Sequence, residues 1–123
     1  MTNKKFRESI ITAMEGIACG FSSERNIKIQ AIIGFLVIII ALLLGISKTN
    51  FILILIITFL VIIAELINTS LEKLIDFTHP KKHEEIKRVK DMLAGAVLLS
   101  VLLAVIVGLL ILLTPAIELL KLI

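Results

Sequence analysis

A stripe of polar side chains on one predicted helix is the part of the chain best suited to chemistry. Between residues 65 and 76, polar residues recur at spacings of three and four, which puts them on one face of an α-helix. They are Glu65, Asn68, Thr69, Glu72 and Asp76. Two carboxylates seven residues apart, with an amide between them, suit Mg²⁺ bound to a phosphate, because Mg²⁺ takes one or two carboxylates and completes its shell with water and phosphate oxygens.

Glu65 directly follows an apolar run, and this position leaves several interpretations open. The 15 residues 50–64 carry no charge, so Glu65 lies about one turn inside the hydrocarbon boundary if that run crosses a membrane. A lone carboxylate there costs about 2.5 kcal/mol or more and needs a partner, a proton or a metal. Besides a metal site, the stripe fits a polar contact that specifies helix assembly, or the proton site of a small transporter.

The elements that must position this stripe are predicted from long apolar runs. The chain of 123 residues is 59% hydrophobic, and its mean hydropathy is +1.10, which leaves too few polar side chains to cover a soluble domain. Uncharged runs of 16, 15 and 26 residues occupy 31–46, 50–64 and 92–117. Since a membrane span takes about 20 residues, the sequence predicts three transmembrane helices, two of them completed by polar residues at one end.

The basic residues predict how these helices are oriented. Of the 13 basic residues, five precede the first span (Lys4 is the first), six lie between the second and third, one lies in the first loop and one follows the third span. Because cytoplasmic loops carry the excess of Lys and Arg, we expect a multi-pass protein of the bacterial inner membrane with its amino terminus in the cytoplasm and its carboxyl terminus outside. This placement explains the net charge of +3 without a nucleic-acid partner.

The predicted fold is an all-α membrane protein with three transmembrane helices and an amino-terminal amphipathic helix on the membrane surface. It forms a single domain, 1–123, whose predicted helices occupy residues 4–22, 24–46, 50–74 and 82–113. Pro80 ends the third of these helices, and Pro115 marks a kink or break in the fourth. The first 22 residues lack the pattern of a cleaved signal peptide, and a single cysteine, Cys19, excludes an internal disulfide.

Two further elements lie on the same predicted cytoplasmic side as the stripe. Glu24 stands where the first span enters the membrane, and 87–91 forms a basic segment with one acid at the base of the last helix. Together with the stripe they offer acids, metal ligands and cations at one interface, where a nucleotide and a lipid hydroxyl can meet. No glycine-rich phosphate loop or dinucleotide fingerprint is present, which excludes a soluble-kinase mechanism.

These elements resemble the prokaryotic diacylglycerol kinase family. Residues 65–76 resemble its signature E-x-x-N-[ST]-x-x-E-x-x-x-D, and residues 90–97 match its K-D-x-x-A-G-A-V element. Residues 24–26, with Gly16 and Ile17 upstream, match its amino-terminal part. The resemblance covers nearly the whole chain, in order and at the expected spacing.

The resemblance implies an enzyme that phosphorylates a membrane lipid alcohol with ATP and Mg²⁺. It also implies a homotrimer of three-span subunits among membrane lipids, with active sites shared between neighbouring subunits. Glu65 is then the catalytic base that accepts the lipid hydroxyl proton, and Asn68 supports this base or the phosphate. Glu24 and Glu72 are the Mg²⁺ ligands and belong to the nucleotide site.

The remaining site residues implied by the resemblance lie around the last loop. Lys90 and Asp91 bind the nucleotide. His83 stands at the family's usual distance before them and either touches the nucleotide or is a solvated loop histidine. Asp76 closes the stripe without an assigned role.

The family has two branches that differ in the acceptor lipid. Members from Gram-negative bacteria phosphorylate diacylglycerol, and many Gram-positive members prefer undecaprenol. Residues 23–27 and 68–70 resemble the undecaprenol branch, and Gln30 stands where the other branch carries a glutamate. The expected acceptor is therefore undecaprenol, with diacylglycerol as the alternative, and a small membrane transporter or scaffold subunit as the alternative of another class.

Overall fold

The computed structural model describes residues 3–123, with side chains from Lys5 onward, as an all-α chain. The side chain of Lys4, counted above among the basic residues, lies outside this described part. Four helices follow one another: α1 Asn3–Ser23, α2 Arg25–Leu44, α3 Lys48–Thr78 and α4 Glu84–Lys121. The helices α2, α3 and α4 are each long and apolar enough to cross a membrane. The predicted all-α class with three candidate spans is confirmed.

A turn of three residues joins α2 to α3. The residue that ends α2 is Gly45, whose φ of 64° lies in the left-handed region that favours glycine. The Ser47 hydroxyl accepts a hydrogen bond of 3.2 Å from the backbone N–H of Asn50 and caps α3. This cap starts the helix at Lys48, so the turn is shorter than the predicted 45–50.

The loop between α3 and α4 also ends in a cap. Helix α3 continues to Thr78, four residues beyond the predicted end at 74, and stops before Pro80. The His83 Nδ1 atom accepts a hydrogen bond of 3.1 Å from the Glu85 N–H and caps α4. The acidic Glu85 lies in the first turn, where the helix dipole favours a negative charge.

The predicted end of the last helix near residue 113 is wrong, because α4 continues through Pro115 to Lys121. A proline within a helix removes one backbone donor, and membrane helices tolerate this loss. The residues after it, 116–121, are Ala, Ile, Glu, Leu, Leu and Lys, most of which favour helix. The helix preference of this segment outweighs the missing hydrogen bond.

One face of α2 packs against α3. Its buried residues recur every seven positions: Ile27, Gly34 and Ala41. At Gly34 the α2 backbone lies so close to the Thr58 side chain that an added Cβ would be 2.5 Å from the Cγ2 atom of Thr58. The buried residues of α3 begin apolar and end polar: Ile54, Ile57, Val61, Glu65 and Thr69. The packed face of α3 therefore leads directly into the carboxylate stripe.

Helix α1 is exposed over most of its length. Every side chain from Lys5 to Cys19 is exposed, and contact with the other helices is made at Gly20, which lies against Leu66 of α3. The apolar side chains of α1, such as Phe6 with 61% of its surface exposed, have no covering element among the described residues. The location of this helix at the membrane surface stays a prediction.

Candidate functional site

Glu65 is the only charged side chain among residues 5–123 that is buried, with 5% of its surface exposed. Its Oε1 atom accepts a hydrogen bond of 2.9 Å from Nε2 of Gln30, which joins α3 to α2. Burial of a carboxylate is unfavourable unless hydrogen bonds or a counter-charge compensate for the lost water. The Gln30 amide supplies part of that compensation.

The packing of α2 explains why Gln30 reaches Glu65. Gln30 lies three residues after Ile27 and four before Gly34, both of which are buried against neighbouring helices, so it shares their face. The sequence prediction used Gln30 only as a marker of the family branch and missed this contact. The available signal was its spacing from two small or apolar residues on one side of the first span.

Glu24 and Glu72 both lie close enough to the Glu65 carboxylate to interact with it electrostatically. Glu24 stands in an extended conformation between α1 and α2, and its side chain makes no capping hydrogen bond. Glu72 lies two turns beyond Glu65 on α3 and is half-buried, as is Glu24. The structure therefore places Glu24 and Glu72 within electrostatic range of Glu65, while their chemical roles stay predictions.

Asn68 adds another oxygen to this cluster. Its side chain interacts with Glu65, whereas its Oδ1 atom is buried and has no hydrogen-bond partner among the described residues. Two carboxylates and a free amide oxygen fit the preference of Mg²⁺ for oxygen ligands, with water and phosphate oxygens in the other positions. Within residues 3–123, no three His, Cys, Asp or Glu side chains form a complete metal site.

Lys90 connects α4 to the stripe on α3. Its ammonium group pairs with the carboxylate of Asp76, which lies four residues, about 6 Å along the helix, beyond Glu72. Asp76, to which the sequence assigned no role, is thus the residue that holds Lys90 beside the stripe. The adjacent Asp91 instead forms an exposed ion pair of 2.8 Å with Lys87 on α4 itself. Lys90 therefore lies at the stripe, whereas the Asp91 carboxylate is paired within α4.

A polar pocket of about 450 Å³ lies beside the Lys90 ion pair, where α3 meets α4. Its lining includes both members of that pair and several residues of the loop and the first turn of α4: His79, Lys81, Lys82, His83 and Lys87. The lysines give the pocket a positive charge, which suits phosphate groups. The sequence prediction counted Lys81 and Lys82 only for membrane orientation, although they lie between two predicted helix ends that face one another.

An apolar groove of about 560 Å³ extends along α2, α3 and α4 and includes Gln30 in its lining. The other lining side chains are aliphatic or absent, apart from Thr58. The Thr58 hydroxyl already donates a hydrogen bond of 2.7 Å to the Ile54 carbonyl. A hydrocarbon surface therefore adjoins the residue that contacts Glu65.

Known proteins similar to this chain carry the names of lipid kinases. A diacylglycerol kinase of Synechocystis sp. is 38% identical over 108 residues, which cover 87% of this chain and 62% of that protein. An undecaprenol kinase of Bacillus subtilis is 32% identical over 107 residues, which cover 87% of each chain. A diacylglycerol kinase of Helicobacter pylori is 28% identical over 99 residues, or 80% of this chain and 77% of that protein. The chain thus spans less than two thirds of the Synechocystis relative.

The sequence model of prokaryotic diacylglycerol kinases matches residues 11–112, which extend from α1 into α4 and include the whole carboxylate cluster. This match and the two relatives above 30% identity confirm the predicted family. The chain belongs to the prokaryotic diacylglycerol kinase family, a family of membrane lipid kinases.

Proposed function

We propose that this chain transfers the γ-phosphoryl group of ATP to the hydroxyl of a membrane lipid, with Mg²⁺ as cofactor. The observation that carries the proposal is the buried Glu65 carboxylate, held by Gln30 beside an apolar groove and accompanied by Glu24 and Glu72. A base in this position can receive a proton from an alcohol whose hydrocarbon part stays in the membrane. Membership of a lipid kinase family supports the same reaction.

Glu65 is the proposed catalytic base. It accepts the hydroxyl proton as the lipid oxygen bonds to the γ-phosphorus and the bond from that phosphorus to ADP breaks. Glu24 and Glu72 are the proposed metal ligands, and the buried Asn68 Oδ1 atom supports the base or a phosphate. Bound Mg²⁺ supplies positive charge that neutralises the phosphate oxygens.

The polar pocket between α3 and α4 is the proposed nucleotide site. Lys90, held by Asp76, places one cation at the stripe, and the pocket's other lysines neutralise further phosphate charge. His83 lines this pocket although its Nδ1 atom caps α4, so its Nε2 atom is the ring nitrogen left for a nucleotide. Asp91 is a proposed nucleotide contact that first has to leave its exposed ion pair with Lys87.

Undecaprenol is the proposed acceptor, and diacylglycerol is the second candidate. Residues 23–27 and 68–70, with Gln30, support undecaprenol by their resemblance to that branch. The second candidate is supported by the name of the Synechocystis relative, which at 38% is more similar to this chain than the Bacillus undecaprenol kinase at 32%. Both lipids present a primary hydroxyl on a hydrocarbon body, which is what Glu65 requires.

The proposal includes the assembly and the location of the chain. Residues 1–123 act as one lipid kinase domain in the bacterial inner membrane, with the amino terminus and the active site on the cytoplasmic side and α1 on the membrane surface. Three copies form a homotrimer in which neighbouring subunits share active sites. The charge distribution supports the orientation, and the exposed apolar side chains of α1 support its contact with lipid.

A phosphoryl-transfer assay tests the proposed reaction. Purified protein in detergent receives ATP labelled at the γ-phosphate, Mg²⁺ and either undecaprenol or diacylglycerol, and label is measured in the organic phase. Transfer that needs both Mg²⁺ and the alcohol supports the proposal, and the preferred alcohol identifies the branch. Absence of transfer to both alcohols, with protein that remains folded by circular dichroism, contradicts it.

A further inference from the structure

The Gln30 amide uses only one of its two ends within the described structure. Its Nε2 atom donates to Glu65, while its Oε1 atom is buried and has no hydrogen-bond partner. A buried carbonyl oxygen without a donor costs free energy, so such atoms are normally satisfied by protein, water or ligand. The atom lies next to the proposed base.

The groove around Gln30 offers this oxygen no donor from its own walls. Apart from Gln30, its lining contains only aliphatic side chains, glycines and Thr58, whose hydroxyl proton is already bonded to the Ile54 carbonyl. The backbone N–H groups of the lining lie within α2, α3 and α4, where helical hydrogen bonds use them. A ligand that enters the groove, along a surface that favours hydrocarbon, could supply the donor that the groove walls lack.

We propose that Gln30 orients the acceptor by taking a hydrogen bond from the lipid's primary hydroxyl at Oε1 while its Nε2 atom holds Glu65. The inference rests on the proposed function and adds a binding residue to it. The hydroxyl is then positioned beside the base before transfer begins. Rotation about its C–O bond turns the proton from Gln30 to Glu65, and the oxygen bonds to the γ-phosphorus as ADP leaves with the electron pair of the broken P–O bond.

Binding of alcohols and of their methyl ethers, measured without ATP, tests this hydrogen bond. A methyl ether keeps the oxygen but has no proton to donate to Gln30. The probes are farnesol and its methyl ether for the prenol class, and dioctanoylglycerol and its 3-O-methyl ether for the glyceride class. Binding of each probe is measured by its competition with a tritiated alcohol for the protein in lipid nanodiscs. The wild type should bind the alcohol about three- to tenfold more tightly than the ether in the class that it accepts, the range expected for one hydrogen bond.

Two substitutions of Gln30 separate its two contacts. Gln30→Met keeps the length of the side chain and removes the amide. The preference for the alcohol over its ether should therefore be lost. Gln30→Glu introduces the residue that the diacylglycerol branch carries at this position; it keeps an accepting oxygen and should retain the preference for the alcohol. Thr58→Val is the matched control: it removes the other hydroxyl of the groove, which is already bonded, and should leave the preference unchanged.

The inference is overturned if Gln30→Met retains the wild-type preference for the alcohol, or if Thr58→Val loses as much of it. Gln30→Glu extends the test should Gln30→Met fail to fold, since loss of the preference in Gln30→Glu also contradicts an accepting oxygen at this position. Binding needs no phosphoryl transfer, so the two proposals fail separately. An alcohol preference that depends on Gln30 in a protein without transferase activity would leave this inference standing and remove the proposed reaction.

Discussion

Glu65 and Glu72 lie on one face of α3 but have different surroundings. Glu65 is buried and accepts a hydrogen bond from Gln30, whereas Glu72 is half-buried, two turns nearer the polar end of the helix. A buried carboxylate beside an apolar groove suits proton transfer from a lipid, and a more accessible one suits a metal that arrives with a nucleotide. The difference in burial therefore supports different proposed roles for the two glutamates, with Glu65 as the base and Glu72 as a metal ligand.

Glu65→Gln should reduce turnover by roughly 100- to 10,000-fold, the usual contribution of a general base. Glutamine keeps the shape of the side chain and can still pair with Gln30, so thermal stability should change little. The measurement is the initial rate of label transfer to the accepted lipid. Glu118→Gln, the same change at an exposed position near the other end of α4, should retain wild-type rates. Substantial activity in Glu65→Gln would remove this residue as the base.

Glu72→Gln should raise the Mg²⁺ concentration needed for half-maximal activity by roughly tenfold or more, since loss of even an outer partner of a metal site costs that much affinity. The change would remove one of the two charged ligands, Glu24 and Glu72, of the proposed metal site. Initial rates are titrated with Mg²⁺ at saturating ATP, alongside the Glu118→Gln control. A titration curve identical to that of the wild type would count against ligation by Glu72.

At the scale of the helices, the site depends on how closely α2 approaches α3. Gly34 permits that approach because a Cβ there would overlap Thr58. The contact lies one turn from Gln30 on the buried face of α2, so it sets the distance at which Gln30 meets Glu65. Small residues at helix interfaces have this function in membrane proteins generally.

Gly34→Ala should lower stability by about 1–3 kcal/mol, as expected for overpacking of a close contact. Thr58→Ser in the same chain removes the overlapping Cγ2 atom and should restore most of the loss. The measurement is the midpoint of thermal unfolding in detergent. Gly95→Ala is the matched control, because nothing lies within 4 Å of the added Cβ at that position. An unchanged midpoint in Gly34→Ala would show that α2 and α3 do not pack as described.

Lys90 is the residue of α4 whose side chain contacts the polar stripe of α3. Lys90→Met should raise the KM for ATP roughly tenfold or more, the effect of losing a hydrogen bond to a charged group, and leave the KM for the lipid unchanged. Stability should change by less than about 1 kcal/mol because Asp76, its partner, is largely exposed. Lys121→Met at the opposite end of α4 is the control. An unchanged KM for ATP would exclude Lys90 from nucleotide binding.

The sequence predicted the helices well because long apolar runs have few alternatives. The polar stripe also followed from helical spacing, and the structure places Glu65 and Glu72 on one face of α3 with Glu24 close by. Two features of the site could be recognised only once the packing of the helices was known. The hydrogen bond between Gln30 and Glu65 joins residues 35 positions apart, and the contact of Lys90 with Asp76 depends on how the loop after Pro80 turns. The predicted end of the last helix near residue 113 was wrong because one local signal, Pro115, opposed several following residues that favour helix.

At the scale of the whole molecule, few side chains are sealed inside a single chain. Among the side chains from Lys5 onward, the fully buried ones are those of Ile27, Ala41 and Ile54, while most apolar side chains of the three candidate spans remain on the outside. In a membrane this surface is covered by lipid or by other copies of the chain. The proposed homotrimer, in which neighbouring subunits share active sites, would cover part of it.

Mixing two inactive variants tests whether subunits share sites. Glu65→Gln and Lys90→Glu each inactivate a uniform trimer if both residues are needed. Co-assembled in equal amounts, they should recover about one quarter of wild-type activity, because a site takes one intact residue from each of two randomly combined neighbours. Separately purified variants mixed without reassembly are the control. Failure to recover activity after verified co-assembly would place each site within one chain.

The short turn between α2 and α3 has a consequence for biosynthesis. In the proposed orientation these two helices enter the bilayer as a hairpin whose tip is the segment Gly45, Ile46 and Ser47, followed by Lys48. Gln30 and Glu65 lie near the hairpin's open end, so they remain on the cytoplasmic side, where the chain is synthesised, during membrane insertion. The buried carboxylate is then never carried through hydrocarbon, and Lys48 is the single charge of the hairpin that must be translocated.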